Sequence, residues 1–155
     1  MKRILLVSDN HMDETILNTV YTTYQTKMDY YIHCGDSQME YDHLKHYFLC
    51  VRGNNDDYDY PLEKIITIEQ RKILVIHGTR LADYGKQSRL IAYAKNKGVD
   101  TVFFGHTHIP LMLKTKDMVL INPGSLRYNR DGSPRSYAIV TIDGSTIDAQ
   151  FLTIE

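Results

Sequence analysis

The chain has 155 residues, long enough for one domain with its own hydrophobic core. Eighteen basic against nineteen acidic side chains leave a net charge of −1, which excludes a global electrostatic grip on nucleic acid. No stretch approaches the ~18 apolar residues of a membrane span. The opening MKRILLVSDNH starts like a signal peptide, but its apolar run breaks early and no small-residue cleavage site follows. Cys34 and Cys50 each lie inside an apolar run and read as buried thiols rather than a disulfide. A reducing, cytoplasmic setting is the expectation.

In chain order, a first strand over about Arg3–Ser8 leads to a helix over about Glu14–Lys27, with Asp13 as N-cap. A second strand spans about Tyr30–Cys34, a short helix Met39–His46, and a third strand Phe48–Val51. Gly53-Asn54-Asn55-Asp56 has turn composition. After Pro61, the runs Lys64–Glu69 and Lys72–Ile76 read as a hairpin with Gln70-Arg71 at its tip. Ser88–Lys97 has helical period, with Gly98 as the residue after its C-cap, and Thr101–Phe104 is the next strand. The runs 111–115, 118–121, 137–142 and 146–153 are β-like and separated by turn residues. Strand–helix alternation predicts parallel pairing in the first two-thirds, and the final third reads as antiparallel hairpins. The expected architecture is an α/β four-layer sandwich, two packed mixed β-sheets flanked by helices, forming a single domain over 1–155.

Five apolar runs end on potential metal donors: Asp9 with His11, Asp36, Asn54, His77, and His106 with His108. Open α/β sheets bind ligands beyond the carboxyl ends of their strands. An isolated Asp9-Asn10-His11 reads better as a cap with a surface histidine, and Gly35-Asp36 could be an ordinary turn. Gly105-His106-Thr107-His108 is more pointed, because two histidines flanking a threonine directly after a buried strand have few structural uses. Together the seven donors suit two metals sharing one carboxylate. Oxygen and imidazole ligands without cysteine favour Mn²⁺, Ni²⁺, Zn²⁺ or Fe. Two divalent cations against two aspartates leave a doubly positive site. A hydroxide then leaves one positive charge, which makes the sheet rim an anion site.

In this order, D-x-H, G-D, G-N-x-D, H-G and G-H-T-H resemble the calcineurin-like metallophosphoesterase superfamily. The short chain looks most like its small YfcE-type phosphodiesterases, over essentially its whole length. The resemblance implies two divalent ions, Mn²⁺ first among the candidates. Asp9, His11, Asp36 and His108 would hold one, and Asp36 (bridging), Asn54, His77 and His106 the other. It implies hydrolysis of a small phosphodiester by a metal-bridging hydroxide, with Asn54, Asn55, Asp56 and His77 as the catalytic set. Asn122-Pro123-Gly124-Ser125 also matches a family tetrapeptide, although a plain turn accounts for it as well.

Two positions depart from the family pattern. Asn55 stands where many superfamily phosphatases carry a leaving-group histidine, so general-acid help worth ~10²–10⁴-fold is missing. Met12 stands where D-x-H-G is usual. His33 reads as a ligand-orienting residue or as an internal strand contact, and His43 and His46 as exposed helix residues. Arg127, Arg130 and Arg135 surround a hairpin turn and read as a solvated hairpin or a phosphate clamp. Tyr21, Tyr24, Tyr30 and Tyr31 fill core edges or form an interaction face, so a homodimer stays open. The competing class is a non-catalytic metal-binding scaffold like the retromer vacuolar-sorting subunit. A DNA nuclease is disfavoured by length and charge.

Overall fold

The computed structural model describes residues 1–154. Strands β1 (Lys2–Val7), β2 (Tyr30–His33) and β3 (Leu49–Cys50) pair in parallel. They are joined through helices α1 (Glu14–Tyr24) and α2 (Tyr41–Leu44). Strands β4 (Glu63–Ile68) and β5 (Arg71–Ile76) form an antiparallel hairpin. Helix α3 (Ser88–Asn96) then leads to β6 (Thr101–Phe103), followed by β7 (Leu111–Lys114), β8 (Val119–Asn122), β9 (Ser136–Asp143) and β10 (Thr146–Thr153). The strand order is β10-β9-β1-β2-β3 in the first sheet and β4-β5-β6-β8-β7 in the second. Both sheets are mixed, as expected.

Two-residue alternation sorts the apolar side chains into three layers. Ile4 and Leu6 of β1 face Ile73 and Val75 of β5 and Phe103 of β6 between the sheets. Leu5 and Val7 point the other way, onto Leu17 and Val20 of α1. Leu74 and Val102 likewise leave the inter-sheet core for Leu90 and Ala94 of α3. Strands with apolar residues on both faces are what a helix–sheet–sheet–helix stack requires. The inter-sheet core stops at the carboxyl ends of β1, β2, β3, β5 and β6, where the chain turns polar.

Three local boundaries differ from expectation. Helix α1 stops at Tyr24 rather than near Lys27: the Tyr31 hydroxyl donates to the Tyr24 carbonyl at 2.7 Å, and Thr26 takes a φ of 65°. Its start is capped as read, with Asp13 accepting from the Ile16 N–H at 3.1 Å. Helix α2 is a single turn, because Leu44 is its one buried side chain. The β4–β5 tip falls at Glu69-Gln70, which leaves Arg71 in the strand with its guanidinium on the Thr101 hydroxyl and the Asp100 carbonyl. The final third is hairpin-rich, but β8 also pairs in parallel with β6, and β9 returns to the first sheet beside β1. Tyr21 and Tyr31 pack with Phe48 against the first sheet, and Tyr24 hydrogen-bonds Tyr137. No helix among the described residues is long and apolar enough to cross a membrane.

Candidate metal centre

All seven predicted donors meet at the strand ends. His108 Nε2 lies 3.2 Å from Asp9 Oδ1 and 3.2 Å from His11 Nε2. Asp36 Oδ2 lies 3.8 Å from His11 Nε2 and 3.4 Å from His77 Nε2. Asn54 Oδ1 completes the chain, 3.1 Å from His77 Nε2 and 3.2 Å from His106 Nδ1. Asp9, His11 and His108, and Asp9, Asp36 and His77, each bring one donor atom per residue within 4.8 Å of one another. Asp9 thus belongs to both groups, while Asp36 lies between the two expected halves. His43 and His46 are exposed and remote from these groups.

Asp9 shows what the cluster lacks. Its Oδ2 accepts from the Ser8 hydroxyl and from the His106 N–H. Its Oδ1 is buried and has no hydrogen-bond partner among the described residues. Leaving a buried acceptor unsatisfied costs ~1–3 kcal/mol, more when it is charged. Three imidazole nitrogens surround that oxygen, so a cation there would satisfy donors and acceptor together. The residues fit a divalent metal.

Three of the histidines are set with Nε2 turned inward. His77 Nδ1 donates to the Cys34 carbonyl at 2.7 Å, His108 Nδ1 to the Tyr128 carbonyl at 3.1 Å, and His11 Nδ1 to Gln38 Oε1 at 3.0 Å. Each bond fixes the ring and leaves Nε2 for the site. Burial would push the Asp9 carboxyl up, but His77, His108 and His11 hold it well below the usual carboxylate range. Burial pushes His77 down, yet the Asp9 charge and the Asp36 hydrogen bond raise it to about 9.

The backbone is shaped for this convergence. Asp9, His11, Asp36, His106 and His108 all have φ between 44° and 71°, a region costly for residues other than glycine and concentrated at functional sites. Met12 has a φ of 67°, which accounts for the glycine usual there. At Gly53 and Gly105 the reason is close approach: a Cβ would fall 2.1 Å from Asp36 Oδ1 and 2.6 Å from Asp9 Oδ2, respectively. Gly53→Ala is expected to displace the Asp36 carboxylate and weaken metal binding roughly 10–100-fold, as loss of a ligand's support does. Calorimetric titration with Mn²⁺ checks this.

Asn55 and Asp56 both hold the loop that carries Asp36. The Asn55 N–H donates to Asp36 Oδ1 at 2.8 Å and its side-chain amide to Asp36 Oδ2 at 2.9 Å. Asp56 Oδ2 accepts the N–H groups of Gly53 at 2.7 Å and Asp36 at 3.0 Å, and Oδ1 that of Gln38 at 2.8 Å. Both carboxylate oxygens are thus engaged in locking the 36–38 and 53–56 loops together. Burial raises its pKa although these three N–H groups oppose the shift.

Several supporting residues had no decisive signal in the sequence. The Asn122 amide donates to the Gly105 carbonyl and Thr107 hydroxyl, and Ser125 Oγ donates to the Asp9 carbonyl. The 122–125 tetrapeptide therefore laces two donor loops together. His33 accepts the Gly35 N–H on Nδ1 at 3.0 Å and donates from Nε2 to Asn10 Oδ1 at 2.7 Å, joining the Asp9 and Asp36 loops. Full burial lowers its pKa to about 4. The unfolded chain would protonate this side chain near 6.5, so its contribution to stability is complete above that pH and is lost as pH falls towards 4. About 2 kcal/mol should be lost between pH 7 and 5 on this account. His33→Gln should flatten that part of the profile in urea unfolding.

Comparison with known proteins agrees with this construction. The calcineurin-like phosphoesterase superfamily domain matches residues 1–145. The probable metallophosphoesterase YsnB of Bacillus subtilis is 38% identical over 154 residues, covering 96% of this chain and 89% of that protein. A predicted phosphoesterase from Streptococcus pneumoniae superposes with a TM-score of 0.87 at 31% identity, over 98% of this chain and 89% of that one. Two more distant structures share the fold alone. The phosphoesterase Yfce from E. coli has a TM-score of 0.70 at 17% identity, over 99% of this chain and 100% of that one. Vps29 from Chaetomium thermophilum has a TM-score of 0.76 at 18% identity, over 98% and 97%. The chain belongs to the calcineurin-like phosphoesterase superfamily, a family of metal-binding hydrolases.

Proposed function

We propose that the protein is a binuclear-metal phosphodiesterase that hydrolyses a small phosphodiester by attack of an activated water. The observation that carries this is the orphaned Asp9 Oδ1 with the Nε2 atoms of His108, His11 and His77 at 3.2, 3.6 and 3.9 Å. Asp9, His11, Asp36 and His108 would hold one divalent ion, and Asp36, Asn54, His77 and His106 the other. Bound there, the ions supply Lewis acidity towards the phosphoryl oxygens and lower the pKa of a water to ~7. The donor set suits Mn²⁺, with Ni²⁺, Zn²⁺ or Fe as alternatives. Cys34 and Cys50, both buried and unpaired, support a reducing, cytoplasmic setting.

A diester is favoured over a monoester by Asn55. Its amide is tied to Asp36 and has no proton to give at useful pKa. Beside Asn54 and His77 opens a cavity of about 440 Å³, also lined by Arg52, Thr79, Arg80 and Leu62, which suits a small substrate. The test is hydrolysis of bis-p-nitrophenyl phosphate, lost with chelator and restored by Mn²⁺, with rates falling steeply across a series of leaving groups of rising pKa. Asn55→His should recover far less than the ~10⁴-fold ceiling of a well-placed acid, because Asp56 is engaged elsewhere and cannot orient the ring. The shared fold with Vps29 motivates the second reading, a scaffold. It wins if fully metallated protein turns over no diester or monoester in a panel.

A further inference from the structure

We propose that Arg130 binds the phosphoryl oxygens of the substrate, held ready for them between Tyr84 and Tyr128 on the rim of the metal centre. The proposal rests on the phosphoesterase reading above and adds a recognition residue to it.

The segment carrying Arg130 is fastened to the donor loop from both sides. The Arg130 N–H donates to the His108 carbonyl at 2.9 Å, and His108 Nδ1 donates to the Tyr128 carbonyl at 3.1 Å. The Tyr128 ring meets the His108 ring edge-on, with centroids 4.7 Å apart. The Arg130 guanidinium carbon lies 5.7 Å from the Tyr128 centroid and 4.8 Å from that of Tyr84, whose hydroxyl accepts from Nη1. A continuous stack thus runs outward from the centre: His108, Tyr128, Arg130, Tyr84.

Charge separates Arg130 from its neighbour. Arg127 Nη1 lies 3.7 Å from Asp13, whereas Arg130 forms no ion pair with a carboxylate among the described residues. A guanidinium stacked on aromatic faces is already ordered, so it loses little freedom on binding. Its fork of N–H groups matches two phosphoryl oxygens, a geometry an ammonium lacks. An exposed, ordered, uncompensated cation beside an anion site has the properties of a phosphate clamp. Tyr84 and Tyr128 act through it as positioning residues.

The experiment compares wild type, Arg130→Met, Arg130→Lys and Tyr84→Leu as Mn²⁺-loaded proteins. Three quantities are read: metal content, the Kd for inorganic phosphate by calorimetry, and kcat and KM for bis-p-nitrophenyl phosphate. Arg130→Met should keep its metal and bind phosphate roughly 10–100-fold more weakly, the range of a charge-assisted hydrogen bond. Its kcat/KM should fall by a similar factor. Arg130→Lys should recover part of the affinity, and Tyr84→Leu should fall between wild type and Arg130→Met. A phosphate Kd within twofold of wild type in Arg130→Met would overturn the proposal, leaving the arginine a packing residue. Loss of metal in that variant, or a wild type that binds no phosphate, would overturn it too. If wild type hydrolyses no ester, the phosphodiesterase reading fails, while the phosphate comparison still decides the role of Arg130.

Discussion

Asp36→Asn is expected to lose hydrolytic activity by at least about 10³-fold and to release both metals together. Asp36 Oδ2 lies 3.8 Å from His11 Nε2 in one proposed half of the site and 3.4 Å from His77 Nε2 in the other. An amide has a single oxygen and no charge, so it cannot serve two cations as a carboxylate does. Metal catalysis contributes several kcal/mol of charge stabilisation together with the nucleophile, and about 1.4 kcal/mol corresponds to each decade of rate. The near-isosteric change should leave the fold intact, because Asp36 is held from outside by the Asn55 N–H and by Asp56 on its own N–H. Metal analysis, circular dichroism and steady-state rates check the prediction. Retention of one full equivalent of metal would show that Asp36 is not shared. Asp9, the common member of both donor groups, would then be the candidate bridge.

Metal removal is expected to lower stability as well as activity. The metal-free site places Asp9 and Asp36 near one another, with Asp9 Oδ1 unsatisfied. The Asp9 and Asp36 charges hold the His77 pKa at about 9 against its burial. A ligand present at a hundred times its Kd stabilises by about 2.7 kcal/mol. For a chain of this size each kcal/mol moves Tm by ~2–4 °C, so filling one site should raise it by roughly 5–10 °C. His77 must lose its proton to become a ligand, so uptake at pH 7 should release protons and strengthen as pH rises towards 9. Calorimetry in buffers of different ionisation enthalpy reads the proton count, and thermal melts with and without chelator read the shift. Equal melting temperatures in both conditions would mean that the cluster is not a high-affinity site.

Much of this was legible in the sequence because buried strands declare themselves as short apolar runs and donors stand directly after them. ILLV before Asp9 and TVF before His106 locate both strand and candidate donor. What stayed hidden depends on contacts between distant segments. Nothing local says that β9 returns to pair with β1, since its apolar alternation would suit either sheet. Asn122 and Ser125 read as a turn, and only the fold brings them onto Gly105 and Asp9. His33 left two readings open, and its bonds to Asn10 and Gly35 resolve them, because they link the loops that carry Asp9 and Asp36. Asp56 looked available to chemistry because two of its three N–H partners, Asp36 and Gln38, lie twenty and eighteen positions away. The left-handed backbone at five of the donors is likewise a tertiary outcome, since Asp and His adopt it more readily than most residues but only as a minority conformation.

The most direct measurement is metal stoichiometry in wild-type protein saturated with Mn²⁺, freed of loose ions by gel filtration and assayed in the same sample against bis-p-nitrophenyl phosphate. Two ions per chain, with activity rising and falling in step with their content, is the predicted result. At most one ion per chain at saturation would contradict the account.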